Sequence, residues 1–219
     1  MMEAMASAPL TSAPAGERAY ADVRDRILSG ELAGGDLISE GEVAARLGIS
    51  RTPVREAFLR LQAEGFMKLY PKRGALIVPI ARSEARDVIE ARELVEAHAA
   101  RVVTGDAART TALVAQLRQN LELQRSTVRD GDLGAYAAAD ADFHSTIVQA
   151  GGNELIIRFY ESLRARQVRM IATSVPGAVA ESVIAQHEAL LAAIDARDAD
   201  RFAALLHDHL SEVHEVLIR

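Results

Sequence analysis

The sequence predicts a mainly α fold in two parts. The first is an N-terminal winged helix–turn–helix of three helices plus a small β-hairpin wing, and the second is an all-α antiparallel helical bundle of about six helices. Three observations predict it. Apolar residues recur at helical spacing in nearly every stretch from Tyr20 onward. One short stretch, residues 67–79, reads instead as strand, turn, strand. Composition agrees: 49% of the residues are hydrophobic, Trp is absent and Ala and Leu abound, as in helix-rich proteins.

Residues 1–16 are rich in Ala, Ser and Pro and lack the basic start and apolar core of a secretory signal, so a disordered tail is expected. A first domain is expected over 17–80. Tyr20, Val23, Ile27 and Leu28 give it a first helix that packs behind the pair that follows. The loop Gly30–Gly35 leads to Ser39, which can cap a second helix while Glu42 reaches back to its N–H, a capping box. Val43, Ala44 and Leu47 give that helix one apolar face, and Gly48 ends it, since a left-handed residue costs glycine little. Thr52 and Pro53 open a third helix, with proline in the first turn where no N–H is needed. Val54, Ala57, Phe58 and Leu61 are its buried side, and Gly65 closes it. Met67–Tyr70 and Ala75–Pro79 then flank the basic turn Pro71-Lys72-Arg73-Gly74.

This arrangement points to double-stranded DNA. The N-terminal end of the third helix carries Ser50, Arg51, Thr52 and Arg55, and such an end enters the major groove in helix–turn–helix proteins. Arginine can donate to both acceptors of a guanine edge, and hydroxyls bond phosphates or bases. An ordinary helical hairpin with surface arginines is the alternative for the helix pair alone. The hairpin with Lys72, Arg73 and Gly74 at its tip, placed where a wing belongs, favours DNA.

Ser50-Arg51-Thr52-Pro53-Val54-Arg55-Glu56-Ala57, with Leu47-Gly48 before it and Glu64-Gly65 after it, resembles the DNA-binding domain of GntR-family bacterial transcription regulators. The likeness runs from about Tyr20 to the C-terminus, and the second half is similar to the FCD effector domain of the FadR-type subgroup. Two positions depart from the pattern. Gly34 stands where the family usually has proline before Gly35, and Gly41 where some members carry a DNA-contacting arginine. The family's arginine contacts therefore transfer to Arg51 and Arg55.

Net charge fits once divided. The chain carries −6, but residues 16–82 hold 11 Lys and Arg against 9 Asp and Glu, while residues 83–219 hold 14 against 21. Basic character is thus confined to the reader, and its mildness argues against a non-specific DNA coat. The absence of cysteine excludes disulfides and thiolate metal sites and fits a reducing cytoplasm. No apolar run approaches the roughly 20 residues that span a bilayer, so no membrane partner is expected.

A short linker is expected at 81–84 and a second domain over 85–219, for effector binding and dimerisation. Six helices are predicted, at 84–104, 107–129, 133–150, 153–174, 179–196 and 199–218. The breaks are Gly105-Asp106, Asp130-Gly131, Gly151-Gly152, Pro176-Gly177 and Asp195–Asp200. Short connections suit an antiparallel bundle.

Polar residues on its apolar faces call for an explanation. Tyr136, Asp140, Phe143, His144, Ile147 and Val148 share one face, with Asp140 and His144 side by side at i,i+4. His187 falls within Val183, Ile184, Leu190, Leu191 and Ile194. His209 falls within Phe202, Leu205, Leu206, Val213 and Val216. His207 lies roughly 200° around from His209 and should face solvent, and His214 is displaced from the stripe. Each histidine taken singly reads as a hydrogen-bonded core residue, as His98 does beside the Leu94–Val102 face. Three together with a carboxylate suit Zn²⁺, Ni²⁺, Mn²⁺ or Fe²⁺ and leave positions open on a six-coordinate ion. The FCD resemblance implies a metal site of one aspartate and three histidines, which falls on Asp140, His144, His187 and His209. Arg92 and Glu96 resemble a recurring pair in that domain. Arg92 could hold an effector carboxylate, as could Asn153, Arg166 and Arg169; a solvated face or an inter-helix salt bridge is the alternative for each.

The reading is a ligand-responsive, DNA-binding transcription regulator, a homodimer on a short inverted repeat, with a metal-anchored small carboxylate as effector. Repression relieved by the effector is what the resemblance implies. A metal-free bulky effector such as an acyl-CoA is the alternative. A metal-dependent hydrolase or lyase would need a general base such as the Glu of His-Glu-x-x-His, which is absent, so no enzyme is expected.

Overall fold

A computed structural model describes residues 13–71, 73–174 and 177–215. These form two compact units, one ending at Pro79 and the other beginning at Ile80. The expected disordered tail, 1–16, lies mostly outside the described residues, but Ala15 and Gly16 already belong to the first helix.

In the first unit, α1 (Ala15–Leu28) buries Ala19, Tyr20, Val23 and Ile27 and packs on α3 (Arg51–Ala63). The Tyr20 hydroxyl donates to Glu64 at 2.7 Å, and the Arg60 guanidinium covers its ring at 3.7 Å. Helix α2 (Glu40–Leu47) starts on the capping box: Glu42 N–H donates to Ser39 Oγ at 3.1 Å and Ser39 N–H to Glu42 Oε2 at 2.7 Å. Gly48, at φ +65°, ends it. Helix α3 buries Val54, Ala57, Phe58 and Leu61, as its pattern requires.

The wing is larger than the expected hairpin. Leu37–Ile38 (β1) joins β2 (Met67–Tyr70) and β3 (Gly74–Ile77) in an antiparallel sheet of order β1-β3-β2. Two residues are too few to show alternation, so β1 had no pattern of its own. Its closeness gives Gly74 a structural role: φ is +99°, and a side chain there would come within 2.4 Å of the Ile38 carbonyl oxygen. Gly34, the departure from the proline pattern, faces Pro79, whose Cα would lie 2.7 Å from any Cβ.

The second unit holds α4 (Arg82–Thr104), α5 (Ala107–Arg129), α6 (Leu133–Gly151), α7 (Glu154–Glu161), α8 (Arg164–Ser174), α9 (Gly177–Asp195) and α10 (Ala199–Val213). Helix α6 packs on α4, α5 and α8, and α9 on α5 and α10. Three expectations are corrected. Most of the 81–84 linker is the first turn of α4, which begins at Arg82. The single helix at 153–174 is two: Ser162 and Leu163 form i→i−3 bonds to Phe159 and Tyr160, and Ser162 Oγ bonds the Phe159 carbonyl at 2.6 Å. That break carries neither Gly nor Pro, and it lets Tyr160 of α7 and Val168, Met170 and Ile171 of α8 all bury. The Leu94–Val102 face points outward, with Leu94 69% exposed and His98 exposed. The core stripe of α4 runs instead through Val88, Arg92, Glu96, Ala99 and Val103. Pro176 of the predicted break and Val216 of the last apolar stripe lie outside the described residues.

Candidate metal centre and nucleic-acid interface

Helices α6, α9 and α10 bring the four expected ligands together. Asp140, His144 and His187 are wholly buried, and His209 nearly so. Candidate ligand atoms of the three histidines all lie within 4.8 Å of one another. His144 Nε2 and His209 Nε2 are 3.3 Å apart, and His187 Nε2 is 3.5 Å from Asp140 Oδ1.

The outer ring nitrogens decide what the inner ones offer. His144 Nδ1 lies 2.6 Å from Glu96 Oε2. His187 Nδ1 lies 2.9 Å from Gln124 Oε1 and His209 Nδ1 2.8 Å from Gln186 Oε1. Both glutamine amides are oriented by further bonds. Gln186 Nε2 donates to Glu212, a pure acceptor. Gln124 Nε2 donates to Asn120 Oδ1, whose own Nδ2 donates to the Ala139 carbonyl. Each Nδ1 therefore carries a proton, and the rings of His187 and His209 turn an Nε2 lone pair inward. Burial pushes the pKa values of His187 and His209 well below the ordinary imidazole range, which keeps those rings neutral. Both Asp140 oxygens and His187 Nε2 are buried without a hydrogen-bond partner. The inward lone pairs of His187 and His209 and the unbonded Asp140 carboxylate, converging with His144, are what a divalent cation satisfies, so the residues present fit a metal.

A cation of the protein's own stands beside them. Arg92 is 1% exposed. Its Nε donates to Glu96 at 2.8 Å, while Nη1 and Nη2 have no partner. Burial alone would raise the Glu96 carboxyl; His144 and Arg92 beside it bring it down to about 2. Tyr160 Oη also donates to Glu96, at 2.5 Å. The Tyr136 hydroxyl is buried without a partner. Burial pushes the Asp140 carboxyl up against the opposing pull of His144 and Arg92.

The other expected effector residues do not join this cluster. Asn153 caps α7, accepting from Leu155 N–H and Ile156 N–H at 3.1 and 3.3 Å. Arg166 pairs with Glu84 at 3.0 Å, eight residues or about 12 Å along α4 from Arg92. Arg169 is buried, with Glu84 and Arg166 as its charged neighbours. His207 is exposed and bonds Glu93 at 2.9 Å. His214, expected off the apolar stripe, is wholly buried: α10 ends at Val213, and at the C-cap the 100° step no longer applies.

In the first unit, Ser50, Arg51, Thr52, Arg55 and Arg73 are exposed and Gly74 is half-buried. Lys72 lies outside the described residues. Arg55 donates through Nε and Nη2 to both Glu40 oxygens, at 2.8 and 3.0 Å. Arg51 Nη2 would lie 3.3 Å from a Cβ at position 41, a space Gly41 leaves open.

Residues 15–77 match the bacterial regulatory proteins of the gntR family, and residues 87–212 match the FCD domain. The chain belongs to the GntR family. It is 30% identical over 203 residues to the HTH-type transcriptional repressor RspR of Escherichia coli strain K12, covering 92% of this chain and 88% of that one. It is 26% identical over 210 residues to a gluconate operon transcriptional repressor of Bacillus licheniformis, covering 93% and 85%. A GntR transcriptional regulator from Rhodococcus sp. RHA1 shares the fold with a TM-score of 0.75 at 20% identity, over 93% of this chain and 97% of that one. As a GntR protein with an FCD domain, the chain is a DNA-binding transcription regulator and not an enzyme. The FadR-type subgroup is consistent with that domain. Three buried histidines could form a metal site, and no described helix is long and apolar enough to cross a membrane.

Proposed function

We propose that this GntR protein is a cytoplasmic repressor that binds an inverted-repeat operator as a homodimer and is released by a small hydroxy or carboxylic acid. Residues 17–80 would form the reader, with Ser50, Arg51, Thr52, Arg55, Lys72, Arg73 and Gly74 at the DNA. Residues 85–219 would bind the effector and dimerise. Asp140, His144, His187 and His209 would hold one divalent ion, Zn²⁺, Ni²⁺, Mn²⁺ or Fe²⁺, which supplies open coordination positions for an effector oxygen. Arg92 would meet the effector carboxylate with its Nη1 and Nη2 donors.

The observation that carries this reading is the convergence of lone pairs and an unpartnered carboxylate beside a buried arginine with two free donor nitrogens. Without a ligand those groups are costly, because each buried polar group left unbonded costs about 1–3 kcal/mol. A metal and a carboxylate answer both deficits together. A long acyl chain answers neither. The relatives named for a gluconate operon make gluconate a sensible first probe.

Elemental analysis of untagged protein beside a His187→Ala, His209→Ala variant tests the reading. A near-stoichiometric transition metal that the variant loses is expected. No metal in the wild type, even after incubation with Zn²⁺, Ni²⁺ or Mn²⁺, refutes the metal-anchored effector and leaves DNA binding untouched.

A further inference from the structure

We propose that Glu40 is a positioning residue for DNA sequence recognition: its carboxylate fixes the Arg55 guanidinium so that it reads a guanine edge instead of serving as a mobile phosphate-binding cation. The inference rests on the proposed role of the α3 N-terminus as the DNA-reading element.

Glu40 is the first residue of α2, and the Ser39–Glu42 capping box fixes the backbone around it. Arg55 stands one turn into α3. The pair therefore spans the two helices of the helix–turn–helix. The Nε and Nη2 bonds to both carboxylate oxygens, at 2.8 and 3.0 Å, occupy one side of the planar fork. A guanidinium has five N–H donors in fixed geometry. Those left over are both protons of Nη1 and one of Nη2, and these line the far edge. Two parallel donors at that edge match the O6 and N7 acceptors of guanine in the major groove. The Arg55 side chain is 67% exposed and that of Glu40 only 26% exposed, so the outer edge is open to a groove and the carboxylate sits behind it.

The carboxylate does two things. It removes rotamer freedom that Arg55 would otherwise lose on binding, which favours the one geometry that discriminates bases. It also cancels the cation's charge, which lowers attraction to phosphate wherever the sequence is wrong. Arg51 differs. Among the described residues no side chain accepts a hydrogen bond from it, and its guanidinium lies over Gly41. One of the two arginines at this helix end is hydrogen-bonded to the Glu40 carboxylate, and the other feels that carboxylate only through its charge.

The test uses the full chain, a site selected from a randomised duplex library, and an unrelated duplex as the non-specific probe. Affinities are measured across a salt series for wild type, Glu40→Gln, Glu40→Asp, Arg55→Lys and Arg51→Ala, with thermal unfolding confirming that each folds. Arg55→Lys identifies the base position that Arg55 reads. Glu40→Gln should lose preference there by about tenfold. It should also bind the unrelated duplex more tightly, with a salt slope steeper by about 0.9. Glu40→Asp keeps the charge but not the reach, and should lose the preference without steepening the slope. The proposal is overturned if Arg55→Lys loses the preference and Glu40→Gln keeps it, or if Glu40→Gln tightens both duplexes equally, which would make Glu40 a latch. Failure of the underlying reading looks different: wild type itself would select no site, and Arg51→Ala and Arg55→Lys would change nothing.

Discussion

Asp140→Asn should stabilise the metal-free protein and nearly abolish its stabilisation by metal, two effects of opposite sign from one isosteric change. Without a cation, both Asp140 oxygens are buried and unbonded, and His187 Nε2, 3.5 Å away, is unbonded too. Asparagine keeps the shape, removes the charge and brings an amide donor to that lone pair. An unsatisfied buried group costs about 1–3 kcal/mol. The loss of attraction between Asp140 and its neighbours His144 and Arg92 offsets part of the gain. Because burial outweighs that attraction at Asp140, the net should remain a gain of about 1 kcal/mol, or about 2–4 °C in Tm. With metal the sign reverses. Free metal at 100 times Kd stabilises the wild type by about 2.7 kcal/mol. Losing the only anionic ligand should weaken binding by about 100-fold, the upper end for losing even an outer partner of a ligand. At the same metal concentration the variant then gains only about 0.4 kcal/mol. The chain has no Trp, so far-ultraviolet circular dichroism or calorimetry is the assay, on chelator-treated and metal-loaded samples. If Asp140→Asn lowers the Tm of the chelated protein and leaves the metal shift intact, Asp140 is a satisfied structural carboxylate and the reasoning fails.

Chelated protein should lose stability as pH falls below about 6.5. Burial depresses His187, His209 and His214 in the folded state, the last to about 3, whereas the unfolded chain protonates them at the ordinary value. Their contribution is thus present above about 6.5 and lost below it, by about 1.4 kcal/mol per pH unit for each group; a flat urea midpoint between pH 7 and 5.5 would contradict this. Arg92→Lys retains the charge but not the fork, so it should weaken gluconate or another carboxylate by about tenfold or more while metal content stays unchanged. Calorimetric titration of the metal-loaded protein decides it, and loss of metal would assign Arg92 to holding the ligands instead. Gly74→Ala must relieve a 2.4 Å approach to the Ile38 carbonyl at φ +99°. The backbone strain alone is about 1–3 kcal/mol, so the variant should lose DNA affinity and keep its metal; an unchanged gel-shift titration would show that β1 yields freely.

What was legible in the sequence was whatever has a local cause. The capping box at Ser39 and Glu42, the stop at Gly48 and the breaks at Gly105, Gly131 and Gly151 depend on residues within a turn of one another. Asp140, His144, His187 and His209 were legible because each interrupts an apolar stripe that remains continuous around it. What depends on tertiary contact was not. The strand β1 is two residues long and exists only because β3 lies beside it. The break at Ser162 is made by burial on both sides and carries no breaker residue. On α4 the inward stripe contains Arg92 and Glu96. A hydropathy reading therefore selects the outward Leu94–Val102 face and turns His98 inward, the reverse of what the structure shows. Gln124 could have been found, since it continues the Leu117 and Leu121 stripe of α5. Gln186 could not, because its task depends on His209 of another helix.

That dependence explains how the bundle tolerates so much buried polarity. Each imidazole is oriented by an acceptor on a different helix from its own: His144 of α6 by Glu96 of α4, His187 of α9 by Gln124 of α5, and His209 of α10 by Gln186 of α9. Glu96 is held in turn by Arg92 and by Tyr160 of α7, and Gln124 by Asn120, which bonds the backbone of α6. A residue that displaced one ring would strain a hydrogen bond on a second helix and leave a buried acceptor unbonded, at about 1–3 kcal/mol. A ligand that draws the rings together therefore acts on α4, α5, α6, α9 and α10 at once. Helix α4 begins at Arg82, three residues past the end of the winged unit. Amide hydrogen exchange should accordingly slow across all five helices when metal is added to chelated protein. Protection confined to α6 and α10 would mean that the outer bonds orient the rings without tying the helices together.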